Sequence, residues 1–192
     1  MKEETNSRKQ FSESLECLQS FIASNPFVKI ELAIDWMSQS IANGNKIISC
    51  GNGGSMSDAM HFAEELSGRY RNNRPSLAAI SISDPSHITC VANDYGFDYI
   101  FSRFIEGLGN EGDILLGIST SGNSQNVINA VEKAKEKGMK TIVLTGKDGG
   151  KLSQLADLEI RAPYSEFADR AQEIHIKIIH AMIGGIEEKL GY

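Results

Sequence analysis

The sequence predicts an α/β fold: a doubly wound parallel sheet of about five strands flanked by helices, flavodoxin-like or Rossmann-like in class. Three observations carry that expectation. Five short apolar runs recur along the chain, each closed by Gly, Ser, Asp or Asn, and a longer helical stretch follows most of them. The runs are also apolar almost without interruption, as strands must be when crossover helices cover both faces of a parallel sheet.

The chain opens with helical spacing. From about Phe11 to Asn43, Leu15, Leu18, Phe21 and Ile22, then Val28, Ile30, Leu32, Ile34, Met37 and Ile41, recur at three- and four-residue steps. Asn25-Pro26 divides this region into two helices, because the residue before proline is pushed out of the helical region and proline is tolerated at the start of a new helix. The strand runs are Lys46–Cys50, Ala78–Ile82, Ile114–Ile118, Thr141–Thr145 and Leu158–Arg161. Helices are expected from near Ser55, from Gln125 to Lys137, and within Tyr164–Leu190, whose last turns Gly184-Gly185 should weaken. His87, in Asp84-Pro85-Ser86-His87, reads as a residue of a helix-start loop.

The chain is 192 residues long and 41% hydrophobic, which suits one core, so a single domain over 1–192 is expected, with residues 1–43 a helical pair packed on it. The 25 Asp+Glu against 19 Lys+Arg give no broad cationic field for a phosphodiester backbone, which disfavours nucleic acid as a direct partner. The opening MKEETNSRKQ is polar, and no run approaches the roughly 18 apolar residues of a bilayer-spanning helix, so export and membrane insertion are not expected. Cys17, Cys50 and Cys90 are odd in number and widely spaced, which fits a reducing cytoplasm better than a disulfide framework.

In parallel sheets the chemistry gathers beyond the carboxyl ends of the strands. After the first run stands Cys50-Gly51-Asn52-Gly53-Gly54-Ser55, whose glycines let backbone N–H groups approach an anion at a helix start. It fails the nucleotide fingerprints, since G-x-G-x-x-G would need Gly at Met56, and Gly146-Lys147 lacks the rest of a P-loop. After the third run stands Ser119-Thr120-Ser121-Gly122-Asn123-Ser124, four hydroxyls at a helix N-terminus that would suit a monophosphate or form only a polar turn with an N-cap. His61 and Glu65 are four apart and share one helix face, as a solvated pair or as part of a site. Asp169, Gln172, His175 and His180 follow on the terminal helix. With His61 and Glu65 they offer the mixed N/O ligands of a divalent metal, while the apolar surroundings of His180 equally fit a buried histidine bonded to a carbonyl. Asn93-Asp94 is a turn or a pair of sugar-hydroxyl contacts.

The strings SCGNGGS, DAMHFAEEL, GISTSGNS, LTGKDGG and QEIH, in that order from about Ile41 to Ile183, closely resemble the sugar isomerase (SIS) domain family, and within it the members that act on sedoheptulose 7-phosphate. The resemblance implies a single SIS domain with a five-stranded parallel sheet and a cytoplasmic homotetramer with composite active sites. It implies an isomerase that converts sedoheptulose 7-phosphate to D-glycero-D-manno-heptose 7-phosphate for lipopolysaccharide core sugars. It also implies one zinc per subunit on His61, Glu65, Gln172 and His180. Substrate contacts would fall on Asn52, Gly53, Gly54, Ser55, Glu65, Asn93, Asp94, Ser119, Thr120, Ser121, Ser124 and Gln172. Isomerisation of an aldose and a ketose needs a base and an acid at neighbouring carbons, roles assigned to Glu65 and His180. The composite site is expected to draw His61 and Glu65 from a neighbour's helix. The alternative is a non-catalytic SIS-domain protein, a sugar-phosphate sensor or an associate of the replication initiator, which would not need that acid–base pair.

Overall fold

The computed structural model describes residues 5–192, so the polar opening decamer is seen from Thr5 onward and Met1–Glu4 lie outside the described residues. Two helices, α1 (Asn6–Ala23) and α2 (Phe27–Ala42), lead into a repeating strand–helix chain. In order these are β1 (Ile47–Gly51), α3 (Gly54–Ser67), β2 (Ala79–Ser81), α4 (Pro85–Asp94), α5 (Ile100–Leu108) and β3 (Ile114–Ser119). Then follow α6 (Gln125–Glu136), β4 (Lys140–Thr145), the single turn α7 (Leu152–Leu155), β5 (Leu158–Arg161) and the terminal α8 (Ala168–Lys189). The break between α1 and α2 falls where proline demanded it: Asn25 takes φ 52° and Pro26 is the residue before the first turn of α2.

All five strands are parallel, in the order β2-β1-β3-β4-β5. The strands β1, β3 and β4 divide their side chains between two cores. From β3, Ile114, Leu116 and Ile118 join Met37, Phe62, Leu66, Ile179 and Met182 under α2, α3 and α8. Leu115 points the other way and joins Ile48, Cys50, Phe101, Val127 and Val143 under α5 and α6. Alternation across a sheet covered on both faces is why the runs read as continuously apolar. Phe62 is fully buried, and cutting such a ring to alanine costs about 3 to 5 kcal/mol.

One expectation is corrected. The run at Ala78–Ile82 yields only the three-residue β2, which pairs with β1 over Ile47–Ser49 alone. Gly184-Gly185 does not interrupt α8, which runs unbroken to Lys189. A Cβ on Gly185 would stand 2.5 Å from Ile34 Cδ1, so the glycine is what lets α2 lie so close to α8. Among the described residues no helix is long and apolar enough to cross a membrane.

Candidate active site

A sheet ordered 2-1-3-4-5 changes direction between β1 and β3, the switch point at which such sheets open a crevice for ligands, and the loops leaving those two strands meet there. Both sequence-predicted glycine and serine segments are those loops. They are joined across the crevice by Asn52 and Asn126, whose side-chain amides each donate to the other's oxygen at 2.9 Å. Asn126 was not singled out from sequence, although it lies two residues past Ser124 in the first turn of α6.

The two helices that start in this crevice lack side-chain caps. The residue before α3 is Gly53, at φ 55° and ψ −121°, a conformation glycine adopts freely. The residue before α6 is Ser124, but its hydroxyl turns away from the helix to meet Ser119 Oγ at 2.9 Å, and Ser119 Oγ lies 3.5 Å from Ser121 Oγ. The helix starts thus keep N–H donors and their partial positive charge for a ligand. Gly122 closes this loop at φ 65°, packed so tightly on the Gly149 backbone that no side chain fits. Ser55 and Ser119 are buried, while Thr120, Ser121 and Ser124 are half-buried. Asn93 and Asp94 form the exposed end of α4, where Asn93 Nδ2 donates to Asp94 Oδ1 at 2.7 Å; they are helical, not a turn. Among the described residues no hydrogen bond links them to the serine loop.

Farther along α3, His61 and Glu65 meet the terminal helix. His61 Nε2 lies 3.0 Å from His180 Nε2 and 3.6 Å from Glu65 Oε1. His61 Nδ1 lies 3.2 Å from Glu64 Oε1, and a solvated glutamate beside a site carries no periodic signal in the sequence. Tyr70, also unforeseen, sets its ring 5.7 Å from that of His180. Burial is the main cause, and His61 the next, that holds the His180 imidazole below its ordinary pKa. Burial raises the Asp58 carboxyl, one turn before His61, to about 6.

His180 is therefore no carbonyl-bonded core histidine; that role belongs to His175, fully buried with Nε2 2.8 Å from the Thr145 carbonyl. Ligands about 2.05 Å from a tetrahedral zinc stand roughly 3.3 Å apart, and the 3.0 and 3.6 Å separations around His61 Nε2 bracket that value. Two imidazoles and a carboxylate are zinc donors, and Glu64 on Nδ1 would hold His61 in the tautomer that leaves Nε2 free. His61, Glu64 and Glu65 together make a possible metal-holding group.

Two expectations change here. His61 and Glu65 reach His180 within one chain, so no neighbour's α3 is needed to bring them together. The Gln172 amide packs instead against Gly54 at the start of α3, and among the described residues no hydrogen bond ties it to His61, Glu65 or His180.

A crevice of capless helix starts and hydroxyls at the sheet's switch point, with a histidine–carboxylate cluster behind it, defines a sugar-phosphate-handling α/β protein. The chain belongs to the SIS domain family, whose pattern it matches over residues 10–146. It is 56% identical over 184 residues to the phosphoheptose isomerase of Vibrio cholerae, covering 95% of this chain and 96% of that one. It is 60% identical over 176 residues to that of Tolumonas auensis, covering 91% and 92%. The structure of the phosphoheptose isomerase of Neisseria gonorrhoeae superposes with TM-score 0.85 at 44% identity, covering 94% of this chain and 96% of that one.

Proposed function

We infer that this chain is an aldose–ketose isomerase that converts sedoheptulose 7-phosphate to D-glycero-D-manno-heptose 7-phosphate, supplying heptose for lipopolysaccharide core sugars. The single observation that carries the chemistry is the meeting of His61, Glu65 and His180 inside one chain. The near-full-length likeness to phosphoheptose isomerases supports the substrate. A non-catalytic sensor would not need a carboxylate and an imidazole so close together.

The substrate phosphate sits among Ser55, Ser119, Thr120, Ser121 and Ser124 at the two helix starts, with Asn52, Gly53 and Gly54 offering backbone and amide contacts. Asn93 and Asp94 contact sugar hydroxyls where a neighbouring copy closes the site. Glu65 removes a proton from C1 of the ketose, and the electron pair moves into the C1–C2 bond as the carbonyl oxygen takes a proton from His180. With Nε2 turned toward His61, Nδ1 is the ring nitrogen of His180 left to carry that proton. The O1 proton then passes to His180, the aldehyde forms at C1, and Glu65 returns its proton to C2. His61, Glu65 and His180 would hold one zinc ion per subunit, with Gln172 completing the shell from a second copy. Such an ion supplies Lewis-acid stabilisation of the enediolate oxygens.

Assembly as a cytoplasmic homotetramer of single-domain chains is part of the same proposal. It is supported by α1, which buries only Phe21 and leaves Phe11, Leu15 and Ile22 exposed. A coupled assay against seven-, six- and five-carbon ketose phosphates tests the function. Turnover confined to the seven-carbon substrate is expected, and no turnover of any would overturn it.

A further inference from the structure

α3 ends at Ser67 with no basic residue in its last turn, so its final carbonyls and the negative end of its dipole need partners from elsewhere. The Gly68 N–H donates to the Glu64 carbonyl and the Leu77 N–H to that of Leu66, and Arg74, seven residues beyond the helix, adds charged donors from inside the protein. Its Nη2 donates to the Glu65 carbonyl at 2.6 Å and its Nη1 to the Leu66 carbonyl at 2.6 Å. Nη1 also reaches the carbonyls of Gly68 and Pro75, at 3.2 and 3.0 Å. The remaining donor, Nε, meets Glu187 Oε1 of α8 at 2.8 Å, with both side chains buried.

The two ends of this contact touch the two halves of the site. Glu65 is the residue whose carbonyl Arg74 holds. Glu187 follows His180 by seven residues, two turns along the same face of α8. The loop that Arg74 anchors carries Tyr70, the ring set against His180. α3 and α8 run side by side in the same direction, touching at Gly54 with Gln172, at His61 with His180, and through Arg74 at Glu65 with Glu187. Of these three contacts only the last ties a backbone atom of α3 to α8 by charged hydrogen bonds.

Stability by itself does not call for such an arrangement. A buried ion pair is commonly matched or bettered by apolar side chains of similar volume, and helix ends are commonly closed by a glycine or by water. A planar guanidinium with donors in fixed directions gives something an apolar contact does not, a defined position for the carbonyls it grips.

We propose that Arg74 and Glu187 form a buried clamp that sets the spacing of α3 and α8, making Arg74 a positioning residue for the His61–Glu65–His180 cluster. The proposal rests on the isomerase and metal assignment above. It is tested with Arg74→Lys, Glu187→Gln, Arg74→Met and the double variant Arg74→Met/Glu187→Leu. Each is compared with the parent chain for zinc affinity by chelator competition, for kcat and KM on sedoheptulose 7-phosphate, and for thermal midpoint.

The double variant, with the pair replaced by apolar groups, is expected to regain the thermal midpoint that Arg74→Met loses. It should nevertheless hold zinc about 10- to 100-fold more weakly, as when a group supporting a metal ligand is removed. Its kcat should fall about tenfold or more, with KM within about threefold. Arg74→Lys, which keeps the charge but loses the fork, should show the same split more mildly. A folded double variant with parental zinc affinity and kcat would overturn the clamp and leave a structural role only. If Arg74→Met does not fold, Arg74→Lys and Glu187→Gln decide by the same readouts. A parent chain that binds zinc without isomerising any ketose phosphate overturns the function, while the zinc comparison still decides the clamp. A parent that does neither overturns both.

Discussion

His61 Nε2 and His180 Nε2 face each other at 3.0 Å across two parallel helices of one chain. Two neutral imidazoles so placed share one proton or one cation, since neither can be left with both lone pairs opposed. Glu65 Oε1, 3.6 Å from His61 Nε2, makes the third side of the cluster.

Glu65→Gln should fold as the parent chain does and lose about 10² to 10⁴ in kcat, because the amide keeps size and hydrogen bonding but not basicity. Zinc content of the variant purified without chelator separates its two roles: retained metal with lost turnover marks the base. Activity within a few-fold of the parent would remove Glu65 from that role.

The Ser119–Ser121–Ser124 hydroxyl chain leads to a binding prediction. Ser121→Ala and Ser124→Ala should each weaken substrate binding by about ten- to a hundredfold, the loss of one hydrogen bond to a charged group worth about 1.5 to 3 kcal/mol. Ser153→Ala, whose hydroxyl donates to the Gly150 carbonyl in another loop, should leave KM unchanged. Michaelis constants for the three variants check this, and equal values would displace the phosphate from the serine loop.

Acid should destabilise the fold through His175. Burial lowers its pKa from 6.5 to about 4, and its Nδ1 has no hydrogen-bond partner among the described residues. The unfolded chain therefore binds the proton more readily, so stability is fully present above the unfolded pKa of 6.5. It falls as pH drops toward about 4, by about 3 kcal/mol in all. Urea denaturation between pH 7 and pH 4 measures this. His175→Gln, which keeps a donor for the Thr145 carbonyl without a titrating ring, should flatten that limb.

Composite sites can be read by complementation. Gln172→Ala chains mixed with His61→Ala chains, each inactive alone, should regain activity on subunit exchange if Gln172 serves a neighbour's metal. Glu65→Gln mixed with His180→Ala should regain none, because those side chains gather around His61 within one chain. The opposite pattern in proven hybrids would reverse the assignment.

The sequence by itself determined the layered α/β plan, because burial on both faces writes continuous apolar runs at Ile114–Ile118 and Thr141–Thr145. It also pointed to the glycine and serine segments after β1 and β3 as candidate binding loops, and in the fold those two loops meet through Asn52 and Asn126. Residue identity at His61, Glu65 and His180 was legible through resemblance alone, for periodicity gave each a bland reading as a surface pair or a core histidine. Only the tertiary structure separated His175 from His180, five residues apart on α8, because which face of a helix meets a carbonyl and which meets another imidazole depends on its rotation in the fold. It also parted Gln172 from the ligands it was grouped with, by packing its amide against Gly54 at the start of α3. Arg74 stayed invisible in sequence because its partners are backbone carbonyls and a glutamate 113 residues away, and hydrogen bonds to the main chain leave no pattern in side-chain identity.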